Sequence, residues 1–155
     1  MTKIIFVCFG NICRSPMAEF IMKDLVARAG LKKDFLIESA GCHPSVGTPL
    51  SNGTAHELRK NNIPFTPRTS KQLNSWDYVN FDYLIGLDRS NVRDMREICG
   101  GDPEGKIFLL MEFAGEKRDV ADPWYTDDYK TTYDDCLIGC TALLEKISAG
   151  NSRRQ

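Results

Sequence analysis

A cysteine and an arginine six residues apart stand in a segment that predicts an anion site. They belong to the stretch Val7-Cys8-Phe9-Gly10-Asn11-Ile12-Cys13-Arg14-Ser15-Pro16, directly behind the apolar run 4–7. The apolar run predicts a strand and the residues from Ser15 onward predict a helix, so the stretch is the loop between them. Such a loop points backbone N–H groups and the positive end of the helix dipole at one place. A phosphate or a similar oxyanion is the expected ligand.

The side chains of this loop suit nucleophilic attack on phosphorus. Donors that hold an oxyanion would also stabilise a thiolate on Cys8, which makes this residue a nucleophile at neutral pH. Arg14 offers a planar fork to two phosphate oxygens, and the Ser15 hydroxyl can donate to the Cys8 sulfur and make it a better leaving group. We expect the rest of the loop to bind the phosphate as well, through Phe9, Gly10, Asn11, Ile12, Cys13 and Ser15.

Each of these residues also has an ordinary structural interpretation. A lone cysteine after a strand is usually a small buried apolar residue, and this spacing of cysteine and arginine is weak evidence alone. The order of the residue types favours the functional interpretation. Gly10 and Asn11 tolerate the positive φ that a coiled loop needs, and Pro16 suits a first helical turn.

Apolar runs that alternate with helical patterns predict an α/β fold along the whole chain. We expect a three-layer αβα sandwich of flavodoxin-like type, with a four-stranded parallel sheet flanked by helices. The predicted strands are 3–7, 35–39, 81–87 and 106–110, and the predicted helices are 15–29, 51–60, 88–98 and a final helix. Residues 61–78 are expected to be irregular, and residues 112–126 to form a long loop.

Ligands of such folds bind outside the carboxyl ends of the strands, where the strand order reverses. The Cys8 loop follows the first strand and therefore lies at that edge. Segments 41–49 and 119–124 follow the second and fourth strands. All three segments should open at the same place.

The stretch from Val7 to Glu19 resembles the signature of the low-molecular-weight protein tyrosine phosphatases. The resemblance extends over most of the chain. It implies a phosphatase that hydrolyses phosphotyrosine and small aryl phosphates through a phosphocysteine intermediate, without cofactor or metal. The later segments that fit are Glu38-Ser39-Ala40-Gly41, Phe81-Asp82-Tyr83 with Leu87-Asp88-Arg89-Ser90-Asn91, and Asp122-Pro123-Trp124-Tyr125.

Such a reaction needs a carboxylic acid that protonates the departing phenolate oxygen. Asp122 is the candidate, because Pro123 stiffens the backbone beside it and the resemblance implies the same role. Asp119 is the second choice. Asp127 and Asp128 are expected in the first turn of the last helix, where negative charge is favoured.

Two aromatic residues follow the candidate acid. Trp124 and Tyr125 can form a wall against which a phosphotyrosine ring slides, whereas phosphoserine is too short to bring its phosphate to Cys8. Alternatively, one of the two rings packs into the core. The segment thus predicts a substrate pocket whose depth selects the substrate.

The resemblance assigns further roles around the loop. Cys13 matches a second loop cysteine that captures Cys8 as a disulfide after oxidation to sulfenic acid; it can also simply fill the loop interior. Asn11, Ser39 and Asp88 match positions that support the loop by hydrogen bonds. Two other cysteines, Cys136 and Cys140, lie on the apolar stripe of the last helix and are expected in the core.

The chain departs from the family pattern at three places. Ser45 stands where the family usually has an aromatic residue of the pocket wall, within Cys42-His43-Pro44-Ser45. Arg68 follows Pro67 in a segment where the family commonly has a histidine that acts as a strut behind the active loop. Phe9 replaces the usual leucine and is bulkier.

Length and composition indicate an ordinary globular protein of 155 residues with net charge −1. We expect one phosphatase domain over 1–150 and a short polar tail over 151–155. The charge balance argues against a nucleic-acid binder, and no apolar stretch suggests a membrane segment or signal peptide. The expected protein is cytoplasmic, a monomer or weak dimer, and contains no metal, because His43 and His56 form no ligand motif with the cysteines.

Three other functions fit parts of this pattern. A thiol-dependent arsenate reductase uses a similar loop but needs two further cysteines near the middle of the chain, which are not found. A protein arginine phosphatase has threonine where this chain has Ile12. A non-catalytic phosphate-binding or redox-sensing module would not need both Cys8 and Asp122.

Overall fold

A four-stranded parallel sheet organises residues 1–153, which is the part of the chain that this computed structural model describes. The strands are β1 (Thr2–Cys8), β2 (Phe35–Gly41), β3 (Tyr83–Gly86) and β4 (Ile107–Leu109). Their order across the sheet is β2-β1-β3-β4, and every neighbouring pair is parallel. The predicted four-stranded parallel sheet is confirmed.

Helices cover both faces of the sheet. On β1, Ile4 and Phe6 face one apolar cluster and Ile5 and Val7 face another, and all four side chains are fully buried. This explains why the strand reads as a continuous apolar run rather than an alternating one. The helices are α1 (Arg14–Arg28), α2 (Asn52–Lys60), α3 (Ser75–Asn80), α4 (Arg89–Cys99), α5 (Pro123–Thr126) and α6 (Tyr129–Arg153).

The first cluster joins β1 to α1 and α6, and the second joins it to α3 and α4. The structure is therefore the αβα sandwich that the sequence predicts. Cys136 and Cys140 on α6 are fully buried in the first cluster, which confirms their predicted place in the core. None of the helices within residues 1–153 is long and apolar enough to cross a membrane.

Segment 61–78 was expected to be irregular, but its residues 75–78 form the start of helix α3. The expectation was wrong for these residues. Asn74 caps the helix, because its side chain accepts from the Asp77 N–H while the Asp77 carboxylate accepts from the Asn74 N–H. This reciprocal capping box is a signal that the sequence contained.

The chain also differs from expectation near the last helix. Asp127 has φ of 56° and ends α5, so it does not lie in the first turn of α6. Asp128 precedes α6 and accepts a hydrogen bond from the Thr131 N–H, as a helix cap does. Helix α6 continues through part of the predicted polar tail to Arg153, and residues 154–155 lie outside the described residues.

A close contact between α2 and α6 leads to a stability prediction. A Cβ on Gly53 would lie 2.2 Å from the Tyr129 ring, which is rigid and has to move. We expect Gly53→Ala to lower the free energy of unfolding by about 1–3 kcal/mol, measured by denaturant unfolding. Gly150→Ala is the matched control, because a Cβ there meets nothing within 4 Å. Equal or greater stability of Gly53→Ala would contradict this packing.

Candidate active site

The loop between β1 and α1 wraps around the Cys8 sulfur. The Asn11 N–H donates to Cys8 Sγ at 3.3 Å, and the Ser15 hydroxyl lies 3.0 Å from the same sulfur. Asn11 has φ of 57°, which turns the loop; Gly10, the other residue expected to permit such a turn, is not needed for it. These contacts hold the sulfur at the centre of the loop.

Asn11 is the hub of a buried hydrogen-bond network behind this loop. Its Nδ2 donates to Ser15 Oγ at 2.9 Å and to Ser39 Oγ at 3.0 Å. Its Oδ1 accepts from Arg68 Nη2 at 2.6 Å and from the Lys71 N–H at 3.0 Å. All polar atoms of the amide are therefore satisfied, and the left-handed turn is held from behind. Asn11 and Ser39 thus support the loop, as the resemblance implied.

Arg68 occupies the place of the strut that the sequence analysis could not identify. Its guanidinium holds Asn11, while Nη1 is buried and, within the described residues, has no hydrogen-bond partner. Burial lowers the pKa of Arg68, and the negative charges of Glu19 and Cys8 oppose that shift. An arginine remains charged in any such setting. The loop therefore has a cation behind it.

Arg14 is held in place by contacts to two distant segments, one directly after β3 and one in the loop before α5. Its Nη1 donates to Asp88 Oδ2 at 2.7 Å and to the Val120 carbonyl at 2.9 Å. Burial by itself would lower the pKa of Arg14, but Cys8 and Asp88 outweigh burial and raise it. Burial would likewise raise the pKa of Asp88, but hydrogen bonds from Arg14 and Asn91 hold it below its usual value. The pair is ionised and pre-organised.

Asp122 lies beside Arg14 although the two are 108 positions apart. Its Oδ2 is 3.4 Å from Arg14 Nη2, and its Oδ1 accepts from the Trp124 N–H at 3.0 Å, which caps α5. Asp119 is placed differently. Its carboxylate accepts from the backbone N–H and the Nε of Arg89, at 2.9 and 3.0 Å. Of the two candidate acids, Asp122 therefore lies beside Arg14, whereas Asp119 is bound to Arg89.

Cys8, Arg14 and Asp122 line one cavity of about 630 Å³ at the carboxyl edge of the sheet. Cys8 is only 3% exposed overall, yet it contributes to the cavity surface. Trp124 and Tyr125 are 71% and 84% exposed and also line the cavity, so neither ring packs into the core. The other lining residues are Phe9, Gly10, Asn11, Ile12, Cys13, His43, Ser45, Thr48, Asp88, Ser90 and Asn91.

Cys13 is buried at the end of the loop, directly before α1. Its thiol donates to Ser51 Oγ at 3.3 Å and lies 3.8 Å from the Tyr129 hydroxyl. Burial raises the pKa of Cys13, more than these hydrogen bonds lower it. At rest this thiol is therefore protonated, unlike a group poised as a nucleophile.

The chain matches, over residues 3–153, the model of the family described as low molecular weight phosphotyrosine protein phosphatase. The chain belongs to this family. Its similarity to a low molecular weight protein-tyrosine-phosphatase of Bacillus subtilis strain 168, YfkJ, is 36% identity over 95% of this chain and 96% of that protein. PtpA of Staphylococcus aureus strain MRSA252 is 38% identical over 95% of this chain and 94% of its own length.

Solved structures of family members share the fold. The crystal structure of YfkJ superposes with a TM-score of 0.93 at 35% identity, covering 97% of this chain and 96% of that one. The Streptococcus pyogenes low molecular weight protein tyrosine phosphatase SP-PTP gives 0.84 at 38% identity, covering 94% and 93%. The family resemblance drawn from the signature loop is confirmed, and with it the assignment to a family of phosphatases.

Two residues that were not expected from the sequence lie at the site in the structure. His43 lines the cavity and its ring contacts that of Phe9 at a 45° tilt, and Arg68 binds Asn11. Arg68 stands at a position where the chain departs from the family pattern, and His43 lies two residues before another such position, Ser45. These departures were the available signal, since a missing wall or strut calls for a replacement.

Proposed function

We propose that this phosphatase hydrolyses phosphotyrosine in proteins, and small aryl phosphates, through a phosphocysteine intermediate. The supporting observation is the convergence of Cys8, Arg14 and Asp122 on one cavity. Cys8 is the last residue of β1, Arg14 is the first residue of α1, and Asp122 directly precedes α5. They supply a nucleophile, a fork for phosphate oxygens and a proton donor.

In the first step the Cys8 thiolate attacks phosphorus, the S–P bond forms and the P–O bond to tyrosine breaks. The Asp122 carboxyl group donates its proton to the departing phenolate oxygen. Arg14 and the N–H groups of the loop hold the phosphoryl oxygens as their charge redistributes. Asp88 keeps Arg14 aimed into the cavity through the 2.7 Å ion pair.

In the second step Asp122, now a carboxylate, accepts a proton from water. The water oxygen attacks phosphorus, the S–P bond breaks and inorganic phosphate is released. Ser15 stabilises the departing thiolate, because its hydroxyl lies 3.0 Å from the sulfur. The Asn11 amide donates to the Ser15 oxygen, so the Ser15 hydroxyl hydrogen can be directed either to the Cys8 sulfur at 3.0 Å or to the Ala40 carbonyl at 3.3 Å.

The exposed rings of Trp124 and Tyr125 support the choice of an aromatic substrate. A phenyl ring can lie against them while its phosphate reaches the buried Cys8. A serine phosphate has no such ring and a shorter reach. We propose that pocket depth and ring contact together select phosphotyrosine.

Cys13 remains our proposed redox partner of Cys8. Peroxide would oxidise the Cys8 thiolate to a sulfenic acid, and attack of the Cys13 thiol on that sulfur would release water and form a disulfide. We further propose a cytoplasmic monomer or weak dimer that acts on phosphotyrosine proteins and binds neither nucleic acid nor membrane. Domain boundaries at residue 150 likewise remain a prediction.

The full chain tests the proposed function directly. We expect release of phosphate from p-nitrophenyl phosphate and from a phosphotyrosine peptide, but not from the same peptide with phosphoserine. Rapid quenching followed by mass spectrometry should detect one phosphoryl group on the peptide that contains Cys8. Absence of hydrolysis would overturn the proposal, and arsenate reduction without hydrolysis would indicate a reductase instead.

Arg68 provides a test of the network behind the loop. Arg68→Ala removes the 2.6 Å donor to Asn11 and should lower kcat by about 10- to 100-fold, because the loop N–H groups lose their alignment. Arg68→His, which introduces the residue common in the family, should recover part of the rate. Arg59→Ala, at an exposed position of α2, is the matched control. Unchanged kcat in Arg68→Ala would show that the loop holds its shape without this strut.

A further inference from the structure

We propose that His43, which lies in a tilted ring contact with Phe9 and is anchored by Asp94, is a specificity-determining residue that contacts the aromatic ring of the substrate. This inference rests on the proposed function and deepens it. Ser45 stands where a pocket aromatic would be expected and has no ring. His43 supplies one instead, from the same loop after β2.

The backbone fixes His43 to the phosphate-binding loop. Strands β1 and β2 pair in parallel up to Cys8 and Gly41, and the hydrogen bonding continues beyond them. The Cys42 N–H donates to the Cys8 carbonyl and the His43 N–H donates to the Phe9 carbonyl, both at 2.9 Å. His43 is therefore placed in register with Phe9 and does not belong to a freely moving rim.

The side chain is held at its other end as well. The Phe9 and His43 ring centroids are 5.2 Å apart with a 45° tilt, within the range of favourable aromatic pairs. His43 Nε2 lies 3.3 Å from Asp94 Oδ2 on α4, and Arg93 Nε lies 3.4 Å from the other Asp94 oxygen. Asp94 is well covered, with a side chain 19% exposed, so it can orient the imidazole.

The two rings remain available to a substrate. Phe9 is 55% exposed, the His43 side chain is also 55% exposed, and both line the cavity that contains Cys8. Trp124 and Tyr125 line the same cavity from the segment after β4, at the opposite end of the strand order. A phenyl ring that enters between these segments meets aromatic surface on both sides.

This arrangement makes His43 important for ring binding and unimportant for the phosphate itself. His43→Ala should raise the inhibition constant of a non-hydrolysable aryl methylphosphonate by about 3- to 10-fold, the range of one aromatic pair. The inhibition constant of inorganic phosphate, which occupies only the loop, should stay within twofold. In turnover of p-nitrophenyl phosphate, KM should rise while kcat stays nearly constant.

Matched variants separate ring contact from other effects. His43→Phe keeps a ring and should restore the phosphonate affinity. Asp94→Ala, which releases the imidazole, should give a smaller loss than His43→Ala, because Asp94 acts only by positioning it. His56→Ala changes the other histidine, which is exposed on α2, and should change neither constant. Thermal unfolding verifies that each variant is folded.

Two results would overturn the inference. An unchanged inhibition constant of the phosphonate in His43→Ala would show that His43 does not contact the substrate ring. A parallel rise of both constants would show that His43 shapes the phosphate loop rather than the ring site. If the wild-type chain neither hydrolyses aryl phosphate nor is bound by these inhibitors, the proposed function fails as a whole, which is a distinct outcome.

Discussion

Cys8→Ser should lower kcat for aryl phosphate by more than about 10³-fold, because no phosphocysteine can form without the sulfur. Serine is smaller and far less acidic, and the loop donors that stabilise a thiolate do not make its hydroxyl a comparable nucleophile. Arg14 and its partners Asp88 and Val120 stay in place in this variant. Phosphate binding should therefore survive while turnover is lost.

Steady-state hydrolysis, phosphate inhibition and trapping of the phosphoenzyme together measure this effect. Cys99→Ser is a suitable control, since Cys99 lies at the end of α4 and is only partly buried. It should retain the wild-type rate. Substantial turnover by Cys8→Ser would mean that another group attacks phosphorus.

Asp122→Ala should reduce kcat/KM by about 10²- to 10³-fold for substrates that need leaving-group protonation. The loss should be greatest for phenyl phosphate, whose phenolate leaves poorly, and smaller for p-nitrophenyl phosphate. The reason is that the proton stabilises the developing negative charge most where the leaving group cannot stabilise it. Comparison of kcat/KM across a series of aryl phosphates measures this dependence.

Two variants make the assignment specific. Asp122→Asn can still cap α5 by accepting from the Trp124 N–H, but it cannot donate the acidic proton. It should be as slow as Asp122→Ala if the group acts as an acid. Asp119→Ala should keep its activity, because that carboxylate is bound to Arg89. Loss in Asp119→Ala alone would reverse the assignment.

Some features of this protein were determined by the sequence alone, because they depend on neighbours in the chain. The apolar run 4–7, the loop from Cys8 to Arg14 and the helix that follows lie within 28 residues and use only local geometry. An anion site at the end of a strand follows from that order. The burial of β1 on both faces likewise follows from an unbroken apolar run in a parallel sheet.

The remaining features depended on how distant segments meet. The sequence favoured Asp122 over Asp119 through Pro123 and the family resemblance, but it did not show what either carboxylate contacts. In the structure Asp119 is bound to Arg89, and Asp122 lies beside Arg14. The bond between Arg68 and Asn11 joins residues 57 positions apart. Only the strand order and register of the sheet bring such groups within hydrogen-bond distance, because sequence spacing alone does not fix where a connecting segment lies after its strand ends.

The aromatic pair of Phe9 and His43 makes the same point at the pocket. Neither residue type indicates a pair by itself, and the family pattern predicted an aromatic residue elsewhere in the loop. The parallel register that continues from Cys8 and Gly41 places the two side chains together. The sequence thus determined the reactive loop, and only the tertiary structure shows that Asp122, Arg68 and His43 lie around it, because each contacts the loop from a segment that is distant along the chain.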